Sequence, residues 1–179
     1  METRKLIAFV QASPDEEETT YRFETLGTTL LDNAIDYSVV LVTEDEDLDE
    51  AVVQHSGSPS DLLLVLGRDL RPATANWLDQ LVIGLGLSRQ VHDVGAAVPH
   101  YLGFLVHKPV APDLVNIKGS SYLFSDGDQG ILDRCVLTTR HAWGKADGFL
   151  GTDSYLARLN AAGMRSAVVM SSTVAYEVP

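Results

Sequence analysis

Residues 6–10 form one uninterrupted apolar run, too short for a buried helix, and the Ala-Ser-Pro-Asp stretch at 12–15 breaks it. A strand covered on both faces has this signature. The period then changes: Phe23, Leu26, Leu30, Leu31 and Ala34 recur at steps of three and four through residues 16–35, and acidic residues crowd the first turns. That spacing predicts a helix, with the acids where the helix dipole favours them. Residues 39–42 and 61–66 return to short apolar runs, the second introduced by a Gly-Ser-Pro-Ser turn. Strand, helix, strand, short helix, strand implies a parallel sheet with right-handed crossovers.

Further along, Pro72 stands where a helix can begin, and Trp77, Leu78, Leu81, Val82 and Leu85 carry the helical period to residue 87. Residues 94–98 and 102–106 are two apolar runs parted by Pro99 and His100, and 108–128, rich in Pro, Gly, Ser and Asp, read as loop or irregular edge strand. A strand is expected at 135–139, a helix at 153–162 stopped by Gly163, and a last strand at 167–170. No repeat, low-complexity tract or linker divides the chain, so residues 1–179 are expected to form a single domain.

Composition narrows the function. Thirteen Lys and Arg against 25 Asp and Glu give a net charge of −12, and no basic patch relieves it, so direct nucleic-acid binding and anionic membrane surfaces are disfavoured. Cys135 is the single cysteine, which excludes an internal disulfide and a cysteine-built zinc site. Glu2, Arg4 and Lys5 precede only five or six apolar residues, far short of a signal or spanning segment. A soluble, cytoplasmic protein without a membrane span is expected.

Two stretches carry more than periodicity. The first is Asp61-Leu62-Leu63-Leu64-Val65-Leu66-Gly67-Arg68-Asp69-Leu70-Arg71-Pro72, followed by Trp77-Leu78-Asp79-Gln80-Leu81-Val82. The second runs from Cys135 through Thr139-Arg140-His141-Ala142-Trp143 and Asp147-Gly148-Phe149 to Thr152-Asp153-Ser154-Tyr155-Leu156-Ala157-Arg158-Leu159, ending on Gly163-Met164-Arg165. Both resemble the inverting family 2 glycosyltransferases, nucleotide-diphospho-sugar transferases, and the resemblance spans residues 5–175. It implies a compact GT-A fold, a Rossmann-like three-layer α/β/α sandwich with a mostly parallel central sheet. In the first stretch the resemblance is to the family's central strand and metal-binding acidic motif, with Asp69 on the final aspartate. In the second it is to the acceptor-side segment, with Asp153 on the aspartate of a Glu-Asp pair. Val42-Thr43-Glu44-Asp45, with Asp49 beyond, is similar to the acidic turn that contacts the nucleoside.

The resemblance implies a transferase that moves a sugar from a UDP- or GDP-linked donor to a hydroxyl acceptor. Such a reaction needs a base for the acceptor proton, for which Asp153 is the candidate, and Asp153 is equally read as a helix N-cap. The leaving diphosphate must be neutralised, normally by a divalent cation, Mn or Mg, on Asp69; the plain alternative is an acid that ends a strand. Glu44 and Asp45 would accept hydrogen bonds from base or ribose, or else form a solvated charge cluster. Ala12 and Ser13 would offer backbone amides to the base, or form a plain turn. Trp77 and Trp143 read as packing residues before sugar platforms, and His100, His107 and His141 lack paired metal spacing.

Departures from the family weaken the cation motif: Gly67 stands for its first acid, Thr152 for the glutamate of the pair, and Tyr176 near the usual histidine. Arg68 or Arg71 could supply the missing positive charge to the diphosphate. The alternative reading is a catalytically inactive GT-A-like nucleotide-binding or scaffolding protein. A nucleotidylyltransferase would need glycine and arginine within 11–18, and a dinucleotide-binding dehydrogenase a G-x-G-x-x-G turn after the first strand, and both are missing. With so short a chain, the acceptor site would be open or completed by a partner subunit in a homo-oligomer. Asp69 and Asp153 are expected to face each other across one cleft, with Asp45 nearby.

Overall fold

The structure is a computed structural model that describes residues 4–12, 16–17, 19–20, 26, 35–67, 70–73, 76–90, 93–102, 113–117, 120–125 and 134–176. The elements in chain order are β1 (Arg4–Gln11), β2 (Ile35–Val42), α1 (Leu48–His55), β3 (Leu62–Leu66), β4 (Leu70–Pro72), α2 (Trp77–Ser88), β5 (Val94–Leu102), β6 (Asp113–Ile117), β7 (Ser120–Ser125), β8 (Cys135–Thr139), α3 (Arg140–Lys145), α4 (Tyr155–Ala161) and β9 (Arg165–Tyr176). Residues 16–17, 19–20 and 26 are helical, and the remainder of the helix expected at 16–35 lies outside the described residues.

One mixed sheet runs in the order β2-β1-β3-β8-β5-β9-β7-β6, with β4 paired to β9. Strands β2, β1, β3, β5, β9 and β6 point one way, because β1 is parallel to β2 and β3, β5 to β9, and β8 and β7 are the reversed strands between them. The sheet is therefore mostly parallel in direction, as expected. Successive residues of a strand face opposite sides. Leu6, Ala8, Val10, Leu62, Leu64 and Leu66 join Trp77, Leu78, Leu81 and Leu85 of α2 in one cluster. Ile7, Phe9, Leu63 and Val65 join Leu48 and Val52 of α1, with Trp143 and Phe149 against them. Helices thus cover both faces, giving the three-layer α/β/α sandwich.

Several elements differ from the sequence reading. Strand β2 starts at Ile35, four residues before the expected run, because it is a sheet edge whose Asp36 and Ser38 are exposed. Alternation, the mark of a half-covered strand, replaces the continuous apolar pattern there. Strand β5 passes through Pro99 without stopping; the register shifts between Pro99 and His100, and an irregularity is where a ladder tolerates a residue lacking its amide donor. Within 108–128, expected as loop or irregular edge strand, residues 113–117 and 120–125 form the antiparallel pair β6 and β7, with β6 at the sheet edge and β7 between it and β9. Finally, β9 extends well past Met170, because Ser172 is fully buried and its hydroxyl donates to the Trp77 carbonyl at 2.7 Å.

Candidate functional site

Parallel strands bring their carboxyl ends to one rim, and the site is built there. Gln11 ends β1 opposite Val42, the end of β2, and the Ala12 amide donates to the Val42 carbonyl at 2.9 Å. The chain then turns through 43–46, where the Glu46 amide donates to the Thr43 carbonyl at 3.2 Å and Glu46 Oε2 accepts the Thr43 amide at 2.8 Å. Asp47 caps α1, its Oδ1 accepting the amides of Asp49 and Glu50 at 2.9 and 3.1 Å. An N-cap of this kind satisfies donors that a helix start leaves open.

Between these strand ends lies a cleft of about 120 Å³, lined by Gln11, Ala12, Val42, Thr43, Glu44, Glu46, Leu48 and Leu150. It is smaller than the roughly 300 Å³ at which ligand pockets begin, so it has room for only part of a small ligand. Glu44 and Glu46 make it a poor place for phosphate oxygens and a good one for hydroxyl and N–H donors. Of the residues singled out in the sequence, Ala12 and Glu44 line this cleft. Asp45, beside Glu44 in the exposed turn, is not among its walls. Ser13, Arg68 and Asp69 lie outside the described residues, and with them the expected pairing of Asp69 and Asp153.

Thr43 belongs to the acidic-turn motif, whereas Leu150, another wall of the cleft, escaped the sequence reading. Leu150 comes from the far end of the chain, held by a carboxylate. Asp49 Oδ1 accepts the Trp143 indole Nε1–H at 2.9 Å and the Phe149 amide at 2.6 Å, and Oδ2 accepts the Leu150 amide at 2.9 Å. Asp147 and Gly148 just before have positive φ, 60° and 87°. A Cβ on Gly148 would stand 2.7 Å from Asp49 Oδ2, so the close approach requires glycine as much as the dihedral does. The sequence reading reached Asp147-Gly148-Phe149 through the family resemblance and stopped one residue short of Leu150.

Asp153 is exposed, in the bend three residues past Leu150. It is not the cap of α4: Ser154 is, its Oγ accepting the Ala157 amide at 3.2 Å. The Arg158 guanidinium straps the whole segment, Nη1 donating to the carbonyls of Ala146 and Gly148 at 2.6 and 2.7 Å, Nη2 to that of Phe149 at 2.6 Å and Nε to that of Asp153 at 3.2 Å. Tyr155 continues inward, its ring 4.9 Å from that of Phe149 and its hydroxyl 2.8 Å from Thr138 Oγ1 in the sheet. Trp77, fully buried, and Trp143, packed against the cluster that α1 forms with the sheet, are packing residues.

Gly67 explains one departure. Its amide donates to the Arg134 carbonyl at 2.7 Å, and a Cβ would lie 2.9 Å from that same oxygen. A side chain has no room at this position. Among the described residues no group of three or more His, Cys, Asp or Glu could hold a metal ion.

A broader cavity of about 430 Å³ lies at the opposite rim, lined by Pro59, Arg140, His141, Trp143, Gly144 and Lys145. Its nearby backbone donors are already used, Arg140 by the Asp61 carbonyl at 2.8 Å and His141 by that of Pro59 at 3.1 Å. None of the candidate residues reaches it.

No family model matches the sequence, and neither does any curated protein. Among solved structures, the fold matches the mannosyltransferase PcManGT from Pyrobaculum calidifontis in complex with GDP-Man and Mn2+, with a TM-score of 0.62 at 10% identity, over 97% of this chain and 57% of that one. The chain therefore spans little more than half the length of that enzyme. The architecture is a GT-A-like α/β fold. Among the described residues no helix is long and apolar enough to cross a membrane.

Proposed function

We propose that this chain is a glycosyltransferase that moves a sugar from a nucleoside-diphosphate sugar to a hydroxyl acceptor with inversion at the anomeric carbon. The observation that carries the reading is the cleft at the carboxyl ends of β1 and β2. Ala12 and Glu44, picked from distant parts of the sequence as nucleotide contacts, line it together, and Leu150 from the acceptor-side segment closes it. Open α/β sheets bind ligands at this rim. The likeness in fold to an enzyme solved with GDP-Man supports the same ligand class.

In this reading Glu44 and Asp45 accept hydrogen bonds from base or ribose, Ala12 and Ser13 offer amides, and Arg68 faces the diphosphate. Asp153 takes the acceptor hydroxyl proton as that oxygen bonds to the anomeric carbon. The bond from that carbon to the diphosphate breaks in the same displacement, its electron pair leaving with the nucleoside diphosphate; attack opposite the leaving group inverts the centre. The neighbour's Mn2+ supports a divalent cation here, with Asp69 as its ligand. The described residues do not by themselves fit such a site, since Gly67 admits no second acid, so no step above runs through a cation.

The test is turnover of GDP-mannose and UDP-glucose, with and without Mn2+, beside calorimetry with GDP and UDP. Asp153→Asn should lower turnover ~10²- to 10⁴-fold and leave nucleotide affinity unchanged. A wild-type protein that binds neither nucleotide would end the reading. Gly67 also favours a second one, a nucleotide-binding protein without catalysis, for which calorimetry would show binding and the assay no turnover.

A further inference from the structure

We propose that Asp49 is the positioning residue of the nucleotide cleft, and that it acts by holding Leu150 as the cleft's third wall. The inference rests on the glycosyltransferase reading of that cleft. Two walls come from adjacent strands: Ala12 after β1 and Thr43 with Glu44 after β2. These are fixed by the sheet itself through the Gln11 and Val42 pairing. The third wall has no such support. Leu150 is half exposed and lies in a bend between α3 and α4, outside any ladder.

What holds it is one carboxylate. Asp49 stands in the first turn of α1, immediately after the loop that forms the second wall, and its two oxygens together accept the Trp143 indole and the amides of Phe149 and Leu150. Charge-assisted hydrogen bonds to a carboxylate are roughly twice as strong as neutral ones. Asp49 therefore sets the distance between the 43–46 loop and Leu150. The left-handed Gly148 turns the two amides toward it, and no larger residue would fit against Oδ2. An acid that sequence alone places among nucleoside contacts has both oxygens occupied by the protein, and its effect on the ligand passes through Leu150.

Asparagine at this position separates the bonds. Its single oxygen can keep Trp143 and Phe149, while its amide group meets the Leu150 N–H donor to donor. The experiment measures Kd for GDP and UDP by calorimetry, and kcat and KM for GDP-mannose and UDP-glucose, in the wild type, Asp49→Asn and Leu150→Ala. Tryptophan indole N–H resonances are followed alongside. Both variants should weaken nucleotide binding and raise KM about fivefold, with kcat within about twofold of wild type, as expected when one net hydrogen bond's worth of positioning is lost. The Trp143 indole signal should stay in place in Leu150→Ala, and Asp49→Ala, which removes all three acceptor contacts, should move it. A residue that served stability alone would lower Tm in Asp49→Asn and leave Kd and KM unchanged; that result, with wild-type binding intact, overturns the inference. Wild-type protein that binds neither nucleotide overturns the transferase reading, and this inference with it.

Discussion

The Gly67 amide and the Arg134 carbonyl oxygen meet at 2.7 Å, and the same oxygen lies 2.9 Å from where a Gly67 Cβ would stand. The partner atom is backbone, so it cannot rotate away. Gly67→Asp, which would recreate the family's first acid, should destabilise the protein by ~1–3 kcal/mol through overpacking and bring no gain in Mn2+ affinity. Urea unfolding and a Mn2+ thermal shift measure the two effects. An acid at 67 that raised the melting point with Mn2+ would show that the packing relaxes.

Arg158 makes its strap by spreading donors from three nitrogens over four carbonyls at 3.2 Å or less. A lysine has one ammonium and cannot span them. Arg158→Lys should therefore lose about 2 kcal/mol in urea denaturation despite conserving charge. Equal midpoints for the two proteins would mean that the strap contributes nothing.

Ser154 and Asp153 give a paired test of the α4 start. Ser154→Ala removes the cap and should cost ~1 kcal/mol, whereas Asp153→Ala, at an exposed position that caps nothing, should change stability by less than about 0.5 kcal/mol. The opposite ranking by Tm would restore the capping role to Asp153.

Tyr37 packs against the core with its hydroxyl buried and without a hydrogen-bond partner among the described residues, and burial pushes its pKa well above the ordinary 10.0. The folded form holds its proton after the unfolded form has released it. Stability from this group is thus complete below about pH 10 and falls as pH rises through the unfolded value toward the raised folded one. Cys135, buried and likewise raised, starts the same decline from about 9.0. Tyr37→Phe should match or exceed wild type at pH 7, by up to ~1 kcal/mol, and should flatten the alkaline decline above pH 10. A loss at pH 7 would reveal a partner for the hydroxyl.

The elements most legible in the sequence were those covered on both faces. Strands β1, β3 and β8 sit inside the sheet, so their central residues had to be apolar, and each was read to within two residues at either end. What escaped was decided at long range. Helix α3 has six residues and is capped by Thr139, the last residue of β8, whose hydroxyl accepts the Ala142 amide at 3.1 Å; its pattern is too brief to show a period. Strand β4 spans three residues and exists because β9 runs beside it. In the site, the convergence of Ala12 and Glu44 on one cleft was legible because strand ends meet at one rim. The hydrogen bonds of Asp49 were not, because its partners stand 94 to 101 positions away.

The strand order also dictates how the chain can be assembled during synthesis. Strands β1, β2 and β3 precede the rest of the sheet in sequence and pair through β1, whereas β5 has β8 and β9 on its two sides, both encoded after it. During synthesis β5 keeps one edge open until residues 135–139 have emerged and the other until residues 165–176 have. Exposed strand edges invite intermolecular pairing, and late, distant contacts fold slowly. Yield of native protein should therefore depend on translation speed and chaperone supply more than its final stability would suggest.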